Sequence, residues 1–259
     1  MIAYAKETTL LTWRSLRAIS RVPERLLDVT VQPFVFILLF LYVIGSAIHV
    51  GIDYKDFMFP GIIGQGLGFG IMSTGTATAH DMREGVIDRL RSMPIGRLAI
   101  ISGQVIGQLA EQVLGLTIYV VIGLALGWRP HFSLSGGLEL FGLVALALLA
   151  FTWTGVYFGM LVRSPDAMQG VGFIIVFPLT MMAGTFVPIG GMAAIPRAIA
   201  QWDPFSVFVA SIRHLTQGSV SSGSLPLDHP ELAMLFWSLL LLGIMLPLAL
   251  RRFSRGLAS

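Results

Sequence analysis

The chain reads as an all-α polytopic membrane protein. Six transmembrane helices are expected, with an amphipathic interfacial helix ahead of them, a short cytoplasmic helix in one inner loop and re-entrant helices on the outer side. Three observations predict this. Of 259 residues, 55% are hydrophobic and only 12% charged, and the mean hydropathy is +0.80. A water-soluble domain carries about 25% charged residues, so this chain has too little polar surface to cover itself in water. The apolar residues gather in runs of about 20, the length that crosses a bilayer core as a helix. Lys and Arg concentrate in alternate connecting segments.

Six runs qualify as spans: residues 31–50, 58–79, 98–126, 138–162, 170–187 and 232–250. The third is long enough to tilt or to project beyond the bilayer. The fifth is short and broken by Pro178. With the N-terminus inside, thirteen of the 17 basic residues fall on inner segments. Only Lys55, Arg129, Arg197 and Arg213 fall outside, which is the bias that sets membrane orientation. An even number of spans then leaves both termini cytoplasmic. The whole chain, 1–259, forms one transmembrane domain. Residues 1–30 are cytoplasmic or interfacial, 31–187 carry spans one to five, 188–231 form an outer segment, 232–250 form span six and 251–259 a cytoplasmic tail.

The first thirty residues do not read as a cleavable signal. Arg14, Arg17, Arg21 and Arg25 recur at three- and four-residue steps and share one helical face, while Leu11, Ile19, Val22 and Leu26 lie largely opposite. Such a helix lies in the membrane interface, guanidinium groups toward phosphate and apolar side chains toward acyl chains. Pro23 bends or restarts it. A plain topogenic anchor is the competing reading. In the outer segment, 195–202 and 205–212 are apolar but too short to cross, and Pro188, Pro196 and Pro204 punctuate them. They read as re-entrant or interfacial helices. No internal repeat is evident, which weighs against folds built from inverted repeats.

Several chemistries are excluded. Without cysteine there is no disulfide, thiolate metal site or cysteine nucleophile, and without asparagine no N-glycosylation acceptor. No Gly-x-x-x-x-Gly-Lys-[Ser/Thr] loop occurs, so the chain is not itself a nucleotidase of that type. The five histidines are scattered and no metal-ligand spacing is found. A pI near 9.6 is better explained by an anionic lipid surface than by nucleic acid. Gly64, Gly66, Gly68 and Gly70 alternate inside span two, where small residues permit close helix packing.

Two constellations remain. In span three, Gln104, Gln108, Glu111, Gln112 and Gly115 share one helical face. A charge at mid-membrane costs roughly 2.5–3.5 kcal/mol on insertion scales, so this face meets protein or water rather than lipid. With Gln65 of span two, the glutamines and Glu111 are candidates for a translocation path or a dimer interface. A hydrogen-bonded bundle contact, or a Glu111 near the membrane edge, fits equally well. The second constellation is the loop 80–97, where four arginines and three acids separate two apolar runs. Residues 84–90 can form two helical turns before Pro94 stops them. Glu84 and Asp88 stand four apart, an acidic edge able to meet a soluble partner. An ordinary solvated loop is the bland alternative.

Glu84-Gly85, Arg89-Leu90, Met93-Pro94 and Arg97-Leu98 together resemble the segment that marks ABC type-2 membrane permeases, above all the daunorubicin-resistance type of exporter permease. A second likeness lies in Gly184-Thr-Phe-Val-Pro188, Pro196, Trp202-Asp203-Pro204-Phe205 and Arg213, where Asp203 replaces the usual asparagine. The resemblance implies a six-helix permease that forms a homo- or heterodimer and pairs with two copies of a separate ATP-binding subunit carrying ATP and Mg. It makes 84–93 the coupling helix, with Glu84, Gly85, Asp88, Arg89, Leu90 and Pro94 engaging the ATPase. It also makes the arginine-rich N-terminal helix a connecting helix and 195–212 the re-entrant outer helices. The cargo would be hydrophobic or amphipathic: a drug, lipid, polyketide or glycan. The location would be a bacterial inner membrane. An ion-coupled secondary transporter would need more membrane-embedded ionisable groups than Glu111. An integral membrane lipid-modifying enzyme would need clustered acid, base or metal ligands at one face.

Overall fold

The structure is a computed structural model. It describes residues 34, 35, 37–45, 53–86, 89, 97–186, 188–218 and 224–255. Every regular element among the described residues is helical. A π-helical stretch, Leu39–Ile44, precedes α1 (Tyr54–Arg83), α2 (Arg97–Ala125) and α3 (Leu134–Leu161). Next come α4 (Pro165–Val171), a π segment (Gly172–Val176) and α5 (Phe177–Met182), which run on as one rod. A 3₁₀ turn (Ile189–Gly191) leads to α6 (Ala194–Ala200), α7 (Pro204–Gln217), α8 (Leu225–Asp228) and α9 (Pro230–Arg255).

Local chemistry sets the helix ends. Ser133 caps α3 by accepting from the Gly136 amide at 3.1 Å, and Ser164 caps α4 through the Ala167 amide at 3.2 Å. Pro165 then occupies the first turn, where its missing N–H has no partner to lose. After α2 the chain closes in a Schellman turn. Gly127 has φ +98°, the Trp128 amide reaches Gly123 O at 2.9 Å, and the Gly127 amide reaches Leu124 O at 3.2 Å.

Four helices are long and apolar enough to cross a membrane: Ile100–Ala125, Leu134–Leu161, Pro165–Met182 and Pro230–Phe253. They match the third, fourth, fifth and sixth expected spans. The fifth starts five residues earlier than expected because the Ser164-Pro165 cap starts it there. Pro178 does not break it, since it sits in the first turn of α5 just after the π segment. The second expected span falls on α1, whose 30 residues exceed the required length. It is less apolar because glycine, threonine and glutamine fill its faces, and much of it is buried against other helices rather than left for lipid. The first expected span is described only in part, and the arginine helix of Arg14, Arg17, Arg21 and Arg25 lies outside the described residues.

α1 is the hub. It packs along α3 and also meets α2, α4 and α7, while α3 meets α9 on its other side. Small residues allow the α1–α3 approach. A Cβ at Gly159 would lie 2.4 Å from Gly75 O, and one at Gly155 would lie 2.7 Å from Ile71 O. One apolar cluster, including Phe59, Leu67, Phe151, Phe205 and Phe208, joins α1, α3 and α7. A second, around Ile101, Trp153, Met160 and Phe253, ties α2, α3 and α9. Phe141, Ile174 and Phe236 remain 75%, 76% and 59% exposed, an apolar exterior suited to acyl chains.

Candidate functional site

A cavity of about 650 Å³ opens between α1, α2 and the start of the fifth span. The polar face of α2 lines it. Gln108, Glu111, Gln112 and Gly115 all border it, as does Gln65 from α1. Four of the five residues singled out for a translocation path or a dimer interface therefore meet at one place. Gln104 does not join them. One helical turn away, its Nε2 donates to Asp81 Oδ2 at 3.2 Å. Sequence reasoning missed His80, Tyr119, Gln169 and Phe173, which also line the cavity. Their signal was weak, since an isolated polar or aromatic residue in an apolar run does not reveal which way it faces.

Gln112 is the polar anchor of the site. Its Nε2 donates to Thr74 Oγ1 at 3.0 Å and to Thr152 Oγ1 at 2.9 Å, tying α2 to α1 and α3. The amide fits because residue 70 is glycine, as a Cβ there would lie 2.8 Å from Gln112 Oε1. Both threonines are fully buried, and Thr152 returns its own hydrogen to Leu148 O at 2.7 Å. Two amide atoms of cavity-lining residues, Gln112 Oε1 and Gln65 Nε2, are themselves buried and have no hydrogen-bond partner among the described residues. Gln65 is only 4% exposed.

A second polar cluster braces the opposite side of α1. Pro60 has no N–H to serve the Asp56 carbonyl four residues earlier. The Gln217 side-chain amide donates to that carbonyl instead. Arg213 takes the next one, with Nε and Nη2 donating to Phe57 O at 3.1 and 2.7 Å, while Nη2 also reaches Gly184 O at 2.7 Å. The guanidinium stacks over the Phe57 ring, 3.9 Å from its centroid. Asp203 caps α7, its Oδ2 accepting from the Ser206 amide at 3.0 Å and the Ser206 hydroxyl at 3.1 Å. Pro204 follows in the first turn, and Pro188 precedes the 3₁₀ turn. This segment lies outside the four long spans. Burial pushes the Asp203 carboxyl above the usual carboxylate range, with the Ser206 bonds opposing the shift.

At the other end of α1 the structure revises the short-helix expectation. Glu84 does not begin a helix. It closes α1 as its C-cap, its amide reaching His80 O at 2.9 Å. Gly85 follows with φ +64°, a left-handed corner that costs glycine nothing. A new turn starts there, with the Arg89 amide donating to Gly85 O at 3.0 Å. Glu84 and Arg89 are exposed. Asp88, Leu90 and Pro94 lie outside the described residues.

Membrane-length helices around an amide-lined cavity, with an exposed charged corner at one end of the central helix, define a multi-pass membrane protein with an interior polar cavity. Sequence comparison sharpens that class. The profile of the ABC-2 type transporter family matches residues 6–216, and the chain belongs to this family. It is 28% identical over 208 residues to the daunorubicin resistance ABC transporter permease protein of Streptomyces coeruleorubidus, covering 80% of this chain and 74% of that one. It is also 28% identical over 143 residues to inner membrane transport permeases of Escherichia coli (strain K12) and Shigella flexneri. Those matches cover 54% of this chain but 37% of each relative. Family membership implies an ABC ATP-binding subunit as partner.

Proposed function

We propose that this chain is the membrane permease subunit of an ATP-driven exporter for hydrophobic or amphipathic compounds. The observation that carries the reading is the placement of Gln65, Gln108, Glu111 and Gln112 around one cavity in a chain of the ABC-2 family. In this reading residues 31–50 and α1 complete a set of six spans, and both termini face the cytoplasm of a bacterial cell. Two permease copies pair with two ATP-binding subunits, which hold the ATP and Mg. The segment from Glu84 through Asp88, Arg89, Leu90 and Pro94 docks on the ATPase, α6 and α7 dip into the outer leaflet, and the arginine helix lies on the inner one.

The mechanism is alternating access. A partner can shift the permease between inward- and outward-open states only by gripping them with different affinity. The ATPase dimer therefore holds the Glu84–Gly85 corner differently with and without nucleotide. Because that corner continues directly into α1, its displacement moves the helix that lines the cavity and packs on α3. The relative from Streptomyces, whose name records daunorubicin resistance, supports an amphipathic cargo.

The test is reconstitution of the permease with its ATP-binding partner in vesicles, with a fluorescent amphiphile as cargo. Export should require both ATP and the partner. Undiminished transport by the permease alone, driven by a proton gradient without nucleotide, would overturn the reading in favour of ion coupling.

A further inference from the structure

Away from the cavity, two exposed arginines gather where α3 and α9 end, and no acid neutralises either. α3 and α9 pack along each other, and both are long enough to cross a membrane. Their ends are tied together by Arg252, whose Nε donates to Met160 O at 3.0 Å. That carbonyl lies in the last turn of α3, where the helix has no further amide to offer it. The bond fixes the base of the Arg252 guanidinium and leaves Nη1 and Nη2 without a partner among the described residues. Arg163 stands three residues beyond Met160, and its exposed guanidinium also has no partner among the described residues. Asp166, the acid nearest to Arg163 along the chain, forms an ion pair with neither arginine. Arg251 adds a third exposed cation beside Arg252.

The geometry points to a site for the phosphate of an anionic phospholipid, held between Arg163 and Arg252 where α3 and α9 end. It stands apart from the cavity and does not rest on the cargo reading. The N–H fork of a guanidinium meets two phosphate oxygens at once, and two such forks enclose an anion from both sides. An apolar track leading to the site makes the occupant a lipid rather than free phosphate. Leu240, Ile244 and Arg251 follow one another at steps of four and seven residues, which puts them on one side of α9. Leu240 and Ile244 are exposed along that side, as is Leu161 at the end of α3. Acyl chains lie along these side chains, and the headgroup sits level with the helix ends, the depth of phosphate in a bilayer whose core the two helices cross. An anion there also relieves the repulsion between the two cations and links the ends of the two helices.

The probes are phosphatidylglycerol and phosphatidylcholine with the same acyl chains, the second carrying an ammonium that offsets its phosphate. Each is titrated into delipidated permease in a non-ionic detergent, and bound lipid is counted by native mass spectrometry. Each arginine near the phosphate contributes about fivefold, so the intact protein should prefer phosphatidylglycerol by roughly 25-fold. Arg163→Gln removes no protein contact and should lower that preference about fivefold. Arg252→Gln should lower it as much and also reduce the thermal midpoint, because Met160 O loses its donor. Arg129→Gln changes an exposed arginine near the opposite end of α3 and should leave the preference intact. Equal retention of the two lipids by the intact protein, or equal losses in Arg129→Gln and Arg163→Gln, overturns the site. Inorganic phosphate at the lipid's own concentration should not displace phosphatidylglycerol; displacement would mean a free-phosphate site and overturn the lipid assignment. None of these outcomes bears on nucleotide-dependent export, which tests the permease reading separately.

Discussion

Among the described residues Arg213 has no acidic partner in its hydrogen-bonding sphere, only backbone carbonyls. Its three hydrogen bonds go to Phe57 O and Gly184 O. Arg213→Met keeps most of the packing volume but leaves both carbonyls short of a donor. The change should destabilise the protein by about 3 kcal/mol, the scale for losing charge-assisted bonds to buried acceptors. It should be visible as a lower thermal midpoint in detergent. Lysine should rescue only part of this, because a single ammonium lacks the fork that spans two acceptors. Asp203 makes a pH prediction. Its carboxyl is raised by burial, and Oδ1 has no hydrogen-bond partner among the described residues. A raised acid binds its proton more tightly folded than unfolded, so its stabilising contribution is lost as pH rises from the ordinary carboxylate range through the folded value. Asp203→Asn keeps a capping oxygen and cannot ionise. Its thermal midpoint should gain on that of the parent between pH 5 and pH 8; a difference of equal size at both values would refute the argument.

Helix contacts, not helix propensity, decide how α1 and α3 sit. Gly159 faces the backbone of Gly75, whereas a Cβ at Gly142 in the same helix meets nothing within 4 Å among the described residues. Gly159→Ala should therefore cost about 2 kcal/mol through overpacking. Gly142→Ala should be neutral or stabilise slightly, as alanine is the better helix former. Thermal unfolding of the two variants side by side measures the difference. Equal effects would mean that the α1–α3 approach is not set by Gly159. The corner after α1 differs in kind. Among the described residues nothing lies within 4 Å of a Cβ at Gly85, so of those constraints only its left-handed φ requires glycine. Gly85→Val should cost roughly 1–2 kcal/mol locally. Membrane insertion should be unchanged while cargo exported per ATP falls, because the corner no longer carries the partner's motion into α1.

Across the molecule, two polar girdles hold α1 from opposite sides. The Gln112–Thr74–Thr152 cluster joins it to α2 and α3, and the Arg213–Gln217 pair joins it to α7 at the Pro60 interruption. A helix held this way is braced along its length, which suits transmission between the Glu84–Gly85 corner and the interior cavity. Glu111→Gln should change cargo transport by the ATP-fuelled complex while leaving assembly with the partner intact. An unaltered transport profile would remove Glu111 from the pathway.

Residues 98–126, 138–162 and 232–250 could be read as spans because partition into lipid is nearly additive along a chain. The structure places α2, α3 and α9 there with ends shifted by only a few residues. The cap of Asp203 is a local contact, only three residues long. Partner choice could not be read this way. Gln112 meets hydroxyls 38 and 40 residues away, and Arg213 meets a carbonyl 156 residues away. Gln104 shares a helical face with Gln108 and Glu111 yet binds Asp81 outside the cavity. Linear order alone thus settled which segments prefer lipid and the family to which the chain belongs. The rotation and crossing of the helices decided which amides meet hydroxyls and which residues line the cavity. That follows because hydrophobicity is a property of a segment, whereas a hydrogen bond is a property of two segments brought within about 3 Å of each other.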